Sequence, residues 1–191
     1  MSTGNSCSQL HDNTSEKRKA MVCEPRHFHT ARQHVTEYAK QKFDLKPDDD
    51  ILDFGCGVLR IGLPLIEYLD SKRFYGYDVS EDRIAEARKE VDDYNLGYKM
   101  PTLTSDWSQI NKQFKHIWSY QVLIHVPDDE LFKVIDRIKQ ALADDGVALV
   151  SVNTDTKQFP KDLRWREYPF VVRPLDFYKE DFDRVNLDFE M

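Results

Sequence analysis

The sequence predicts an α/β chain built on a doubly wound, mostly parallel sheet with helices on both faces. Three observations carry this. Short β-favouring runs alternate with amphipathic helical runs through the middle of the chain, Gly55 and Gly57 follow the first such run at once, and the acid Asp78 closes the second about one βα unit later. Strands joined by helices pair parallel with right-handed crossovers, and such sheets bind ligands at the carboxyl ends of their strands.

The elements follow in order. Residues 1–22 are rich in Ser, Asn, Thr and charge, with too few large apolar groups to offset the entropy of ordering, and are expected to form a disordered polar tail. From Phe28, the residues Ala31, Val35, Tyr38, Ala39 and Phe43 recur at helical spacing, which predicts one helix that ends before Pro47 and lies across the ligand cleft or a sheet edge. Ile51 to Phe54 reads as the first strand, Ile61 to Leu69 as a helix with Pro64 near its start, and Phe74 to Tyr77 as the second strand. Ser80 with Glu81 and Asp82 caps a helix carrying Ile84, Ala87 and Val91 on one stripe. A third strand falls within Tyr98 to Thr104 and a fourth over Ile117 to Leu123. Asp128 is expected to cap a strongly periodic helix through Leu131, Ile135, Ile138 and Leu142 that stops before Gly146, and Val147 to Val152 is the fifth strand. Beyond it, Asp176 to Arg184 reads as a short helix, and Val185, Leu187 and Phe189 alternate as one more strand.

At 191 residues the chain has the size of one domain: 23–191, divided into an N-terminal helix or lid (23–47), a ligand-binding core (48–152) and a C-terminal segment (153–191). With 34 acidic against 27 basic residues it lacks the positive field of a protein that grips nucleic-acid backbones. No apolar run approaches the ~20 residues needed to cross a bilayer, and the polar start has no signal-peptide core, so a cytoplasmic protein with no membrane partner is expected. Cys7, Cys23 and Cys56 show no C-x-x-C spacing, which points to reduced thiols and away from zinc. His27, His29 and His34 have poor spacing for a metal, and no metal is expected. The triplet Asp48 to Asp50 reads as a solvated turn.

The glycine pair marks a nucleotide-cofactor cleft, but it departs from the dinucleotide fingerprint. Arg60 stands where the third glycine belongs, and Asp53 sits two residues before Gly55. A carboxylate there repels a pyrophosphate and suits a cationic amino-acid group. The run from Asp53 to Gly57, with Asp78 downstream, resembles motif I and the β2-end acid of class I S-adenosylmethionine-dependent methyltransferases. The resemblance covers about residues 50 to 152 and is strengthened by Gly76-Tyr77-Asp78, Ser105-Asp106-Trp107 and Ser119 to His125 in the same order. Two positions depart from the family pattern: Leu59, where many members have a small residue, and Lys115, where an aspartate often stands.

The resemblance implies that S-adenosyl-L-methionine is the cofactor and assigns it partners. Gly55, Cys56 and Gly57 admit the methionyl group, Asp53 takes its ammonium and Arg60 faces its carboxylate. Asp78, with Val79 beside it, takes the ribose diol. Asp106 and Trp107 meet the adenine, and Ser119 and Tyr120 lie by the sulfonium. Tyr120 and His125 are the catalytic candidates, on a small-molecule acceptor reached by in-line methyl transfer. No [N/D]-P-P-[Y/F] run of the kind used on nucleic acids is present. The family sheet has two further strands, the last antiparallel; either the sheet is shortened at the C-terminus, or Phe170 to Arg173 supplies one of them.

Other readings compete. Asp53 and Asp78 could cap turns, Trp107 could be core, Cys56 suits a backbone-shaping residue better than a nucleophile, and His125 could orient rather than accept a proton. At the level of function, the rivals are a non-catalytic cofactor-binding module on the same fold and an NAD-dependent oxidoreductase, which Arg60 disfavours.

Overall fold

The computed structural model describes residues 25–152, 154 and 171–188, with backbone only for 25–32. The polar tail, the aromatic residues Trp165, Tyr168 and Phe170, and Phe189 lie outside the described residues. The chain runs α1 (Pro25–Phe43), β1 (Ile51–Phe54), α2 (Gly62–Tyr68), β2 (Phe74–Tyr77), α3 (Glu81–Asp93), β3 (Thr102–Thr104), β4 (Phe114–Ser119), α4 (Asp128–Ala141), β5 (Leu142–Val150) and α5 (Leu175–Arg184). The sheet has the order β3-β2-β1-β4-β5, with every pairing parallel. Strand order reverses between β1 and β4, which opens a crevice above their carboxyl ends.

Side chains alternate across the pleat, so each strand feeds two cores. Ile51, Phe74, Leu103 and Trp118 face α1, α2 and α3, where Phe43, Leu63, Ile66, Ile84 and Val91 complete one buried cluster. Leu52, Phe54, Tyr77 and Ile117 face the other way, toward Ile138 and Ala141 of α4. A third cluster joins Leu131 and Ile135 of α4 to Tyr178 and Phe182 of α5. The helices thus cover both faces.

β1 and β2 occupy the spans read from the sequence, because each is an unbroken run of residues that the sheet buries or half-buries. Ser80 caps α3 as expected, its Oγ accepting from the backbone N of Arg83 at 3.4 Å. Other expectations are corrected. The fourth strand is Phe114–Ser119, not Ile117 to Leu123: Gln121 takes φ 57, which ends the strand, and Leu123–His125 is a 3₁₀ turn whose apolar side chains pack into the core. Asp128 does not cap α4. Pro127 holds the cap position, and the Asp128 carboxylate turns instead to Arg173. α4 ends at Ala141 and β5 begins at Leu142, with an irregular stretch before regular pairing of Val147 with His116. Val185 and Leu187 form no strand; Val185 follows α5 in a turn and packs with the α4–α5 core.

α1 lies on a face of the sheet rather than an edge. Phe43 packs against His116 and Trp118 of β4, with ring centroids 5.0 and 6.4 Å apart, and Thr36 Oγ1 donates to the Ile61 carbonyl at 3.4 Å. Tyr38, placed on the apolar stripe by its spacing, is 51% exposed. The aspartate triplet is no simple solvated turn either. Asp49 Oδ2 accepts from the Lys46 backbone at 2.7 Å and lies 3.5 Å from His116 Nε2, while Asp50 pairs with Arg73 at 3.3 Å and with Lys112. These bonds clasp the amino-terminal edge of the sheet.

Candidate functional site

The site is built by two chain exits at the crevice. After β1 the chain turns through Gly55 (φ 79) and Gly57 (φ 52), and the buried Leu59 also takes a left-handed φ of 60. The N–H groups of Gly55 and Cys56 both donate to the Tyr77 carbonyl, at 2.7 and 3.0 Å, which ties the loop to the end of β2. Gly57 donates to Asp78 Oδ2 at 3.0 Å, and Asp78 Oδ1 accepts from the Ser80 backbone at 3.0 Å. A carboxylate oxygen has two lone pairs, so Asp78 keeps acceptor capacity beyond these bonds. Val79 beside it is 77% exposed.

The two glycines serve different ends. A Cβ on Gly55 would meet Val122 Cγ2 at 2.3 Å, so the loop and the chain leaving β4 are pressed together there. A Cβ on Gly57 would meet only Arg83 Nη1, at 3.8 Å. The space outside Gly57 is open.

Asp53 sits beneath the loop, 4% exposed. Burial, and after it the Asp78 carboxylate, push its carboxyl up to about 8. Cys56 is buried as well, and burial, followed by the charges of Asp53 and Asp78, raises its thiol well above the ordinary value. Such a thiol is no nucleophile. Its Sγ instead lies where a Cβ on Gly76 would come within 3.0 Å, so it fills space against β2. Arg60 follows the loop, half-buried.

At the end of β3, Asp106 opens a 3₁₀ turn (Trp107–Gln109), accepting from Ser108 N at 3.0 Å and Ser108 Oγ at 2.7 Å; these bonds hold its carboxyl below the usual range. Trp107 packs edge-on against Tyr77 and Phe54, with centroids 4.9 and 5.6 Å away, the core placement weighed against an adenine role. At the end of β4, Ser119 is fully buried and its Oγ has no hydrogen-bond partner among the described residues. Tyr120 stacks on Trp118, 5.7 Å between centroids and 3° between planes. His125 ends the 3₁₀ turn with its side chain exposed.

Sequence reasoning missed Arg173. Its guanidinium, 3% exposed, reaches the Leu123 and Val126 carbonyls and the Asp128 carboxylate, and so holds the turn after β4. The available signal was one charged residue set in an apolar run before Pro174.

A reversed strand order, a glycine loop over a buried acid and a second acid at the next strand end define a cofactor cleft of the class I methyltransferase fold. Known proteins agree with that class. The magnesium protoporphyrin IX methyltransferase of Synechocystis PCC 6803, solved with S-adenosylmethionine bound, superposes with a TM-score of 0.66 at 19% identity over 97% of this chain and 79% of that one. The cyclopropane synthase of Mycobacterium tuberculosis gives 0.64 at 20% identity over 96% and 65%. In sequence, the magnesium-protoporphyrin O-methyltransferase of Synechocystis is 30% identical over 95 residues, 49% of this chain. The matched part is 40% of that relative, so the chain spans less than half its length. The model of the mycolic acid cyclopropane synthetase family matches residues 8–175, and the chain belongs to that family of S-adenosylmethionine-dependent methyltransferases.

Proposed function

We propose that this chain binds S-adenosylmethionine in the crevice between β1 and β4 and transfers its methyl group in line to a small-molecule acceptor. One observation carries the reading: Asp53 is a buried acid whose charged form is opposed by burial and by Asp78, set under a glycine loop whose outer side is open. A cation beside it would favour the charged form that burial and Asp78 oppose. The methionyl ammonium supplies one, whereas the pyrophosphate of a dinucleotide would add charge of the wrong sign. The residues therefore fit the cofactor.

In this reading Gly55, Cys56, Gly57, Asp53 and Arg60 hold the amino-acid end, Asp78 and Val79 the ribose, Asp106 with Trp107 the adenine, and Ser119 and Tyr120 the region of the sulfonium. The cofactor supplies a methyl group already activated by a positively charged sulfur. The protein's work is then to align the acceptor and exclude water, with His125 taking a proton where the acceptor must lose one. Residues 48–152 form the cofactor core, and 23–47 with 153–191 form the acceptor side. The net charge of −7 and the small-molecule names of the relatives support a small acceptor.

Calorimetry of the purified chain against S-adenosylmethionine, S-adenosylhomocysteine and NAD tests the reading. The two sulfur cofactors should bind and NAD should not. NAD binding above either of them would overturn it.

A further inference from the structure

We propose that Arg173 is a positioning residue for the cofactor loop: by gripping the turn after β4 it holds Val122 against Gly55, and so sets the loop's shape from the far end of the chain. The inference rests on the cofactor reading above.

The apolar side chains of the turn are anchored in the core, but its backbone makes few bonds of its own. It is a three-residue 3₁₀ turn, Leu123–His125, whose own bonds are His125 N to the Val122 carbonyl at 2.9 Å and Val126 N to the Leu123 carbonyl at 3.3 Å. Turns of this length are weak alone. Residues 171–173 supply what is missing. Val171 N donates to the Ile124 carbonyl at 2.8 Å, Arg173 Nη1 donates to the Leu123 carbonyl at 3.0 Å, and Nη2 donates to the Val126 carbonyl. Arg173 Nε donates to Asp128 Oδ1 at 2.7 Å, and Nη1 reaches the Tyr178 hydroxyl at 3.4 Å, so the same group fixes the starts of α4 and α5.

The residue before this clamped turn is Val122, and its side chain lies against Gly55 of the cofactor loop. Its Cγ2 stands 2.3 Å from where a Cβ on Gly55 would lie, and Gly55 leads within two residues to Gly57, whose N–H is bonded to Asp78. Through these bonds, the Val122 contact and the short chain between them, Arg173 is linked to Asp78.

The choice of arginine is informative. Burying a guanidinium costs hydration, and its carboxylate partner Asp128 is exposed, so its presence points to geometry. A planar fork reaches two carbonyls and a carboxylate from three separate nitrogens. A lysine offers its three donors from a single nitrogen and does not reproduce that spread.

The test measures S-adenosylhomocysteine affinity by calorimetry for the parent chain, Arg173→Met and Arg173→Lys, each shown by its melt to be folded at the working temperature. Both variants should bind about 5- to 150-fold more weakly, the range of coupling between distinct sites. Combining Arg173→Lys with Val122→Ala should weaken binding by less than the product of the single effects, because both act through one contact. A purely structural arginine would lower the melting temperature and leave the affinity of the folded protein within twofold; that result overturns the inference. Should Arg173→Met not fold, the Arg173→Lys protein decides by the same criterion. A parent chain that fails to bind S-adenosylhomocysteine would instead overturn the cofactor reading and this inference with it.

Discussion

Val122 closes over Gly55 so tightly that a Cβ on the glycine would fall 2.3 Å from Val122 Cγ2. The loop after β1 and the exit of β4 are thus fitted parts of one structure. Gly55→Ala should destabilise the fold by about 2 to 4 kcal/mol, combining a left-handed φ with overpacking. Adding Val122→Ala should recover the steric part and leave the backbone part. Chemical denaturation of the two single variants and the double variant checks this, and strictly additive effects would refute the contact.

Asp78 joins the glycine loop to the start of α3 and keeps lone pairs for a ligand. Asp78→Ala should weaken S-adenosylhomocysteine binding by about 1.5 to 3 kcal/mol, the range for hydrogen bonds to a charged group. Gly57→Ala is the companion. Its Cβ meets no protein atom closer than 3.8 Å, so its cost to folding should be that of the left-handed backbone alone, about 1 to 2 kcal/mol, and a further loss of affinity in the folded protein would place the ligand beside it. An unchanged dissociation constant for folded Asp78→Ala protein would remove the ribose assignment.

Asp53 makes the stability of the ligand-free protein depend on pH. Its folded carboxyl is raised to about 8 from 3.8, so in the interval between these values the native chain keeps a proton that the unfolded chain has lost. The stabilising contribution is therefore full below 3.8, falls as pH rises, and is gone beyond about 8. Scanning calorimetry from pH 5 to 9 should show that Asp53→Asn removes this slope and raises the melting temperature at pH 8, while weakening S-adenosylhomocysteine binding. Equal slopes in parent and variant would end the argument.

His125 stands exposed at the end of the turn held by Arg173. With an identified acceptor, His125→Ala should leave cofactor affinity within twofold and lower turnover by ~10²–10⁴ if the residue is the base. A loss below tenfold would reduce it to an orienting role.

The sequence was most legible where local composition and tertiary demand coincide. Ile51 to Phe54 and Phe74 to Tyr77 are short runs dominated by apolar and aromatic residues beside a glycine loop and an acid, and the structure keeps their boundaries. β4 was misplaced because Lys115 and His116 interrupt its apolar pattern, although His116 is buried under Phe43, while Val122 to Ile124 prolong that pattern into a turn. The left-handed Gln121 that separates strand from turn has no composition signal. Arg173 was missed for a different reason. Its partners in the turn after β4 and at Asp128 lie 45 to 50 residues away, and only the fold brings them together.

The hydrogen bonds of the glycine loop also limit how this cleft could be re-engineered. Three successive N–H groups, those of Gly55, Cys56 and Gly57, already have acceptors in the Tyr77 carbonyl and Asp78. A phosphate-binding nest works by offering just such amides to an anion. Installing the missing third glycine through Arg60→Gly would therefore not convert the chain to dinucleotide use: the donors a phosphate needs are engaged, and two carboxylates face the place it would occupy. Such a conversion requires rebuilding the exit of β2 together with the loop.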